Sequence, residues 1–330
     1  ASDVYKRQVM AWAQFFLSAA VIVFVASKMT KYAHVIAVRT RLGGMFVGTL
    51  LVATATSSPE IITNVSSVRL GVPNLAAGDL FGSCMFNMLI LALLDVVHFR
   101  ERILRRVAIS HALTAALATL LAGMAALFVL ARIPWRIGWL GLDSLSLIVI
   151  YLGGMWLIQR ESRRHGTPVG IELDVPGIGL THAIIGFVVC AVALAFISPW
   201  LVRAAKQIAL ITGLGTGFVG VTLFAFVTSL PEVVTMLVSV RLGAFDMTVG
   251  DLFGSNIFNM LALAITDGFY VQGLLFSDIN ANFALAGLLV VLLINLALVG
   301  NLANLERRLW FVELDTLLII LSFIGGMMLL

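Results

Sequence analysis

The stretch TSSPEIITNVSSVRLG, residues 56–71, sets a proline beside a glutamate inside a long apolar run. A second stretch, TSLPEVVTMLVSVRLG at residues 228–243, repeats the arrangement. Proline removes a backbone donor and clashes with the preceding turn, so it kinks or breaks a helix. A carboxylate at bilayer depth is costly unless it is paired, faces water or has a function. The recurrence of both features predicts a duplicated fold with polar helix breaks at its centre.

The surrounding chain has the composition of an integral membrane protein. Of its 330 residues 61% are hydrophobic and 12% are charged, with a mean hydropathy of +1.07. A soluble domain keeps roughly a quarter of its residues charged. We therefore assign the net charge of +4 to membrane topology and not to nucleic-acid binding. Cys84 and Cys190 offer neither a disulfide framework nor metal-ligand spacing, and no obligate protein partner is indicated.

Ten apolar runs are long enough to cross a bilayer, which takes about 20 helical residues. The expected fold class is therefore all-α, with ten transmembrane helices and no soluble domain between them. The predicted spans are 10–27, 43–67, 76–95, 107–131, 138–158, 181–199, 213–239, 248–266, 279–299 and 311–330.

The two halves of the chain match at a constant offset of 172 residues. The motif GDLFGS occurs at 78–83 and again at 250–255, and FNML occurs at 86–89 and again at 258–261. The prolines, glutamates and RLG triplets of the two opening stretches obey the same offset. We expect a first five-helix repeat over 1–160 and a second over 181–330, joined by a polar cytoplasmic linker at 161–180. The most similar parts, the α-repeats, cover about 43–95 and about 213–267.

Five spans in each half force the second half to enter the membrane from the opposite side. That arrangement is an inverted-topology repeat, which is typical of secondary transporters. The links 28–42, 96–106, 159–180, 240–247 and 300–310 carry 14 of the 21 Lys and Arg residues. Since basic loops stay in the cytoplasm, both termini are expected outside. The predicted location is a prokaryotic inner membrane, crossed many times.

The helix breaks predict a cation site. Glu60 and Glu232 lie inside apolar runs with no Lys or Arg in the same run to neutralise them. A break also leaves backbone carbonyl oxygens available as ligands, such as those of Ala53 and Ala225. The alternative is structural, because Ser57 and Glu60, like Ser229 and Glu232, fit a capping box that starts a half-helix.

A second row of polar residues follows each break. Asp79, Ser83 and Asn87 are spaced four residues apart, which places them on one helix face. Asp251, Ser255 and Asn259 repeat the row, and Gly82 and Gly254 let neighbouring helices approach closely. Oxygen ligands of mixed charge favour hard cations, above all Ca²⁺, and Na⁺.

These residues carry a resemblance. ATATSSPE with GDLFGSCMFN, and AFVTSLPE with GDLFGSNIFN, resemble the two α-repeats of the sodium/calcium exchanger family in the cation/Ca²⁺ antiporter superfamily. The chain is similar to prokaryotic members that lack a large cytosolic loop. The resemblance implies that Glu60 and Glu232 are the main Ca²⁺ ligands and that transported Ca²⁺ and Na⁺, but no cofactor, occupy the site. It further implies ligand roles for Ser57, Ser83, Asn87, Thr228, Ser229, Ser255, Asn259 and the carbonyls of Ala53 and Ala225.

Two departures from the family pattern concern charge. Asn87 and Asn259 are amides where some members have a third central aspartate, whereas Asp79 and Asp251 replace the usual asparagine. One hypothesis places Asp79 at the outer mouth and Asp251 at the inner mouth, where they attract cations. The alternative is a buried salt bridge from these aspartates, with Arg69 and Arg241 as partners.

The predicted function is therefore exchange of Ca²⁺ for Na⁺ by alternating access at a midplane site. Exchange of Ca²⁺ or another divalent cation for H⁺ by the same fold is the near alternative. A channel is a third possibility. A remote alternative is an intramembrane aspartyl protease, which would need Asp79 and Asp251 at one depth and facing each other.

Overall fold

The protein is described here by a computed structural model that covers residues 2–39, 57–97, 111–165, 178–241, 245–302, 308–309 and 312–330. These residues are almost entirely helical. In the first half the elements are α1 (Ser2–Arg39), α2 (Ser58–Arg69), α3 (Pro73–Val97), α4 (Ala112–Ala131), strands β1 (Arg136–Ile137) and β2 (Leu140–Gly141), and α5 (Leu142–His165).

The described part of the second half follows this order and also includes elements whose first-half counterparts lie outside the described residues. Its elements are α6 (Leu180–Thr212), α7 (Gly215–Val219), a π-helical turn (Gly220–Phe224), α8 (Ala225–Thr228), α9 (Leu230–Arg241), α10 (Phe245–Asp267), α11 (Leu275–Asp278), α12 (Phe283–Leu302), strands β3 (Arg308–Leu309) and β4 (Val312–Glu313), and α13 (Leu314–Leu329).

Seven segments of the described chain are helical, long and apolar enough to span a membrane. Two shorter apolar helices, Phe283–Val299 and Leu314–Leu329, follow them. The protein is thus an all-α, multi-pass membrane protein. Most of the predicted run 43–67 lies outside the described residues, so only its last part, in α2, can be compared.

Element boundaries follow the 172-residue offset of the sequence. Helix α2 and helix α9 begin and end at matching positions, and α3 and α10 begin at matching positions. The hairpins match too, because Arg136 pairs with Gly141 in one and Arg308 with Glu313 in the other. The local fold is therefore duplicated along with the sequence.

Hydrogen bonds between the halves obey the same offset. The Thr316 hydroxyl donates to Asp95 over 2.8 Å, and the Ser144 hydroxyl donates to Asp267 over 2.7 Å. In each case the aspartate near the end of the polar-row helix of one half is held by the start of the last helix of the other half. The two halves are thus interlocked twice, by equivalent contacts.

The predicted boundaries need several corrections. Helix α1 and helix α6 extend well beyond the apolar runs 10–27 and 181–199, and α6 continues through Pro199. Residues 138–141 belong to a hairpin turn and strand, with Gly138 at a φ of +67°. Helices α12 and α13 likewise begin later than predicted. An apolar hairpin and an apolar helix have the same hydropathy, so a hydropathy window cannot separate them.

Buried apolar side chains form two separate clusters. The larger one is built mainly from α3, α4, α10 and α12. The smaller one joins α1 to α6 and includes a few residues from the neighbouring helices, such as Leu75 and Phe224. The Gln14 amide also donates to the Trp200 carbonyl over 2.9 Å, between α1 and α6. These two helices therefore pack against each other along their length and share a smaller apolar contact with the neighbouring helices.

Close contact between α3 and the α7–α8 segment depends on glycine, as expected for Gly82. A Cβ atom at Gly82 would lie 2.6 Å from the Val221 carbonyl oxygen, and one at Gly78 would lie 2.6 Å from the Gly217 carbonyl oxygen. Only residues without a side chain allow two backbones to approach this closely. This contact brings the polar row of the first half against the helix break of the second.

Candidate cation site

Glu60 is buried in the first turn of α2, yet neither of its carboxylate oxygens has a hydrogen-bond partner among the described residues. Ser57 occupies the N-cap position of α2 but makes no capping hydrogen bond with its side chain. The capping-box interpretation of this pair is therefore wrong.

Ser57 instead reaches the other half of the molecule. Its hydroxyl donates to Oε1 of Glu232 over 3.3 Å. The carboxyl groups of Glu60 and Glu232 lie close enough to interact directly. Both glutamates are buried, so two acids 172 residues apart share one polar interior.

The break around Ser229 is mild. Its backbone N–H donates to the Ala225 carbonyl over 3.0 Å, so that carbonyl is not free as expected, although it can accept a second bond. Pro231 has no backbone N–H, so it cannot donate the helical hydrogen bond to the carbonyl of Val227, four residues earlier. The Ser229 hydroxyl is buried and has no partner among the described residues. Ala53 lies outside the described residues.

The two polar rows meet between α3 and α10. The Asn87 amide donates to Oδ1 of Asn256 over 2.9 Å, and the Cys84 thiol lies 3.8 Å from the Asn256 carbonyl oxygen. The Asn259 side chain is also within reach of the Cys84 thiol. Ser83 lies 3.5 Å from the Thr228 hydroxyl, which brings the first row to the second helix break.

Many oxygens in this interior have no hydrogen-bond partner within the described part of the chain. Buried polar atoms are nearly always paired, so such a concentration calls for a ligand. Ionised carboxylates and amide oxygens only accept, which suits a cation and not an anion. The unpaired oxygens are both oxygens of Glu60, Oε2 of Glu232, Oδ1 of Asn64, Oδ1 of Asn87, Oδ1 of Asn259, Oδ1 of Asp251, and the hydroxyls of Ser229 and Ser255; the amide nitrogen of Asn256 is an unpaired donor among them.

Asp79 and Asp251, although they share the GDLFGS motif, have different partners. Asp79 accepts two hydrogen bonds of 2.7 Å, one from the Asn64 amide and one from the Thr228 hydroxyl. For Asp251, Oδ1 has no partner among the described residues. Both aspartates are buried, so neither lies in an open vestibule in this conformation.

The alternative salt bridges are not formed in the described structure. The Arg69 guanidinium lies over the Phe269 ring, 5.3 Å from its centre, and Arg69 makes no ion pair with Asp79. Arg241 is exposed at the end of α9, whereas Asp251 is buried.

Sequence reasoning missed Asn64, Asn256 and Cys84 as members of this interior. Asn64 follows Glu60 by four residues, so the helical period that grouped the polar rows would have found it. Asn256 and Cys84 occupy equivalent positions at the 172-residue offset, and both are buried.

The described residues contain no group of three or more His, Cys, Asp or Glu side chains arranged to hold a metal ion. A cation in this interior would therefore have to combine the two glutamates with neutral hydroxyl, amide and carbonyl oxygens. Such mixed coordination is typical of Ca²⁺ and of other hard cations.

Comparison with known proteins gives a consistent result. The sequence profile described as "Sodium/calcium exchanger protein" matches residues 10–158 and 182–325. CaxA of Alkalimonas amylolytica, a candidate antiporter, is 25% identical over 324 residues, 92% of this chain and 93% of CaxA. The inner membrane protein YrbG of Escherichia coli K12 is 25% identical over 266 residues, 76% of this chain and 77% of YrbG.

The fold also matches a solved structure. The sodium-calcium exchanger NCX_Mj, soaked with Na⁺ and Sr²⁺, superposes with a TM-score of 0.58 at 18% identity. The match covers 97% of this chain and 98% of that one.

Proposed function

Because this chain belongs to the sodium/calcium exchanger family, we propose that it exchanges Ca²⁺ for Na⁺ at a site between Glu60 and Glu232. Proteins of this family are transporters and not enzymes, and the protein is accordingly a membrane antiporter. One observation carries the proposal: the two buried glutamates, one from each half, approach each other with three of their four carboxylate oxygens unpaired among the described residues.

The ligand set favours a hard divalent cation. Two adjacent carboxylates repel each other unless a cation lies between them. Ser57, Ser229, Ser255 and the amide oxygens of Asn87 and Asn259 offer neutral oxygens to complete its coordination. The carbonyls of Ala53 and Ala225 are further candidates. Ca²⁺ accepts six to eight such oxygens in flexible geometry. No cofactor is required, because the ions themselves are the cargo.

The transport cycle follows from an inverted repeat of ten spans. The matching element bounds and the paired interlocks between halves support two repeats related by a pseudo-twofold axis. With basic links in the cytoplasm, both termini lie outside, in a prokaryotic inner membrane. We propose that α1 and α6, which pack against each other, move together across the site and open it to one side at a time.

Charge balance makes the cycle an exchange. Two glutamates balance one Ca²⁺ or two Na⁺, whereas an empty site leaves two unbalanced charges at bilayer depth. A site in that state opposes closure, so the transporter switches sides only when it is loaded. The balance of one Ca²⁺ against two monovalent ions corresponds to an electroneutral exchange.

Uptake of radioactive Ca²⁺ into proteoliposomes tests this function. An imposed Na⁺ gradient is expected to drive uptake, and Glu60→Gln and Glu232→Gln are expected to abolish it. Uptake that follows a pH gradient and ignores Na⁺ would instead establish the Ca²⁺/H⁺ alternative. Single-channel currents would point to a channel, and an absence of any gradient-driven uptake would overturn both exchange mechanisms.

A further inference from the structure

The Thr228 hydroxyl has more hydrogen-bond acceptors than it can serve. It carries one hydrogen, and four oxygens lie within reach: Oδ1 of Asp79 at 2.7 Å, the carbonyls of Phe224 and Ala225 at 3.2 Å each, and the Ser83 hydroxyl, itself a possible donor, at 3.5 Å. A threonine inside a helix normally donates to a carbonyl of its own preceding turn. Here the carboxylate is both nearer and charged, and such hydrogen bonds are roughly twice as strong as neutral ones. Asp79 therefore takes the hydrogen of Thr228.

Asp79 is itself held in place from the opposite side. The Asn64 amide donates to its second oxygen, Oδ2, over 2.7 Å. All three side chains are fully buried. Each carboxylate oxygen thus has a donor, which distinguishes Asp79 from the two glutamates, whose oxygens are mostly unpaired in the described structure. The arrangement is that of a fixed acceptor and not of a cation ligand.

The chain Asn64–Asp79–Thr228 links three elements of the site. Asn64 lies one turn after Glu60 on α2, Asp79 begins the polar row of α3, and Thr228 ends α8 just before Glu232. Asp79 of the first half therefore holds Thr228, a candidate ligand in the second half, in place.

The second half does not have the same chain. At the 172-residue offset the position of Asn64 is held by Met236, whose thioether cannot donate a hydrogen bond. Oδ1 of Asp251 has no partner among the described residues. The residue equivalent to Thr228, Thr56, lies outside those residues. Two aspartates in identical GDLFGS motifs are thus used differently.

We propose that Asn64 and Asp79 are positioning residues for Thr228, a role that rests on the proposed cation site. By accepting the hydroxyl hydrogen, Asp79 leaves the lone pairs of Thr228 available to a cation. It also directs the hydroxyl hydrogen away from the Ala225 carbonyl, a second candidate ligand. Asp79 acts through Thr228 and does not bind the transported ion.

The test is a double-mutant cycle measured as Ca²⁺ uptake driven by the gradient that drives the wild type. Asp79→Asn and Thr228→Val are each expected to raise the half-saturating Ca²⁺ concentration about tenfold, the effect of losing one charge-assisted hydrogen bond. The maximal rate of Ca²⁺ uptake should stay close to that of the wild type. The double variant should be no worse than Thr228→Val alone, because without the Thr228 hydroxyl Asp79 has nothing left to position. Thr228→Ser, which keeps the hydroxyl, should have the half-saturating Ca²⁺ concentration of the wild type.

Asp251→Asn is the matched control, since it makes the same change in the other copy of the motif. Its effect should add to that of Thr228→Val instead of overlapping with it. Asn64→Met, which copies the second half into the first, should raise the half-saturating concentration in the same direction as Asp79→Asn.

The outcomes separate the two proposals. Additive effects of Asp79→Asn and Thr228→Val would overturn the positioning role while leaving the exchanger intact. Loss of saturable uptake in Asp79→Asn, as severe as in Glu60→Gln, would make Asp79 a ligand and also overturn it. Absence of gradient-driven uptake by the wild-type protein would overturn the proposed function and the inference with it.

Discussion

The Ser57 hydroxyl donates a hydrogen bond to Oε1 of Glu232 over 3.3 Å, although the two residues lie in different halves of the chain. The serine that opens the helix of one glutamate thus contacts the other glutamate. This relationship makes the two helix breaks one site. It also explains why the motif occurs twice, because each copy supplies only part of the coordination.

Replacement of this serine should weaken cation binding without abolishing it. Ser57→Ala removes a hydroxyl that both orients Glu232 and offers an oxygen ligand, so the half-saturating Ca²⁺ concentration should rise roughly tenfold. The measurement is Ca²⁺ uptake at varied external Ca²⁺. Ser66→Ala is the control, because the Ser66 hydroxyl donates to the Ile62 carbonyl of its own helix, over 2.9 Å. Equal effects from the two variants would argue against a site at Ser57.

The glutamates should lower stability when no cation is bound. Glu60→Gln removes one of two buried acids that repel each other, so it should raise the free energy of unfolding by roughly 1–3 kcal/mol in cation-free buffer. The wild-type protein should be stabilised by Ca²⁺, and the variant should not be. Thermal unfolding in detergent with and without Ca²⁺ measures both effects. Glu161→Gln, at an exposed position, should alter neither. Stabilisation of Glu60→Gln by Ca²⁺ equal to that of the wild type would remove Glu60 from the site.

Cys84 should make the site sensitive to soft metal ions. Its thiol lies beside Asn256 and Asn259 and within electrostatic range of Glu60, whereas the equivalent position in the second half is an asparagine. Thiolate sulfur prefers soft cations such as Cd²⁺. Cd²⁺ should therefore inhibit Ca²⁺ uptake by the wild type, and Cys84→Asn should weaken the inhibition about tenfold or more.

Cys190 supplies the control for that experiment. It is the other cysteine of the chain and lies on α6, in the smaller apolar cluster. Cys190→Ser should leave Cd²⁺ inhibition unchanged. Inhibition that persists in Cys84→Asn and disappears in Cys190→Ser would relocate the effect to α6.

Gly82 should tolerate no side chain. A Cβ atom there would meet the Val221 carbonyl oxygen at 2.6 Å, so Gly82→Ala must push α3 away from the π-helical turn. We expect a loss of roughly 1–3 kcal/mol in stability, as for overpacked cores, together with weaker Ca²⁺ uptake. Gly153→Ala is the matched change, because a Cβ atom at Gly153 has nothing within 4 Å. Thermal unfolding compares them, and indistinguishable unfolding temperatures would show that the close contact does not matter.

Transport should carry no net charge if the two glutamates alone balance the ions. Asp79 is fully engaged by Asn64 and Thr228, so it is not expected to add a third exchanged charge. Proteoliposomes on a solid-supported membrane report transport currents directly. A current that scales with Ca²⁺ flux would contradict this balance.

The sequence alone determined the class of protein, the internal duplication, and which acidic residues lie inside membrane-spanning runs. These properties follow from the hydropathy of windows of about 20 residues and from identical residues at a constant offset, and neither requires coordinates. The positions of Glu60 and Glu232 in apolar runs were therefore predictable. So was the close packing at Gly82, because a small residue on a membrane helix has few other uses.

Only the tertiary structure decided which polar groups pair and which do not. Ser57 has a local interpretation as a cap, yet its hydroxyl reaches Glu232 of the other half. Asp79 and Asp251 lie in identical GDLFGS motifs, but one partner of Asp79 is Asn64, and the position equivalent to Asn64 holds Met236. A hydrogen bond depends on atoms within 3.5 Å, and those atoms come from segments whose separation is fixed by helix packing and not by the order of residues.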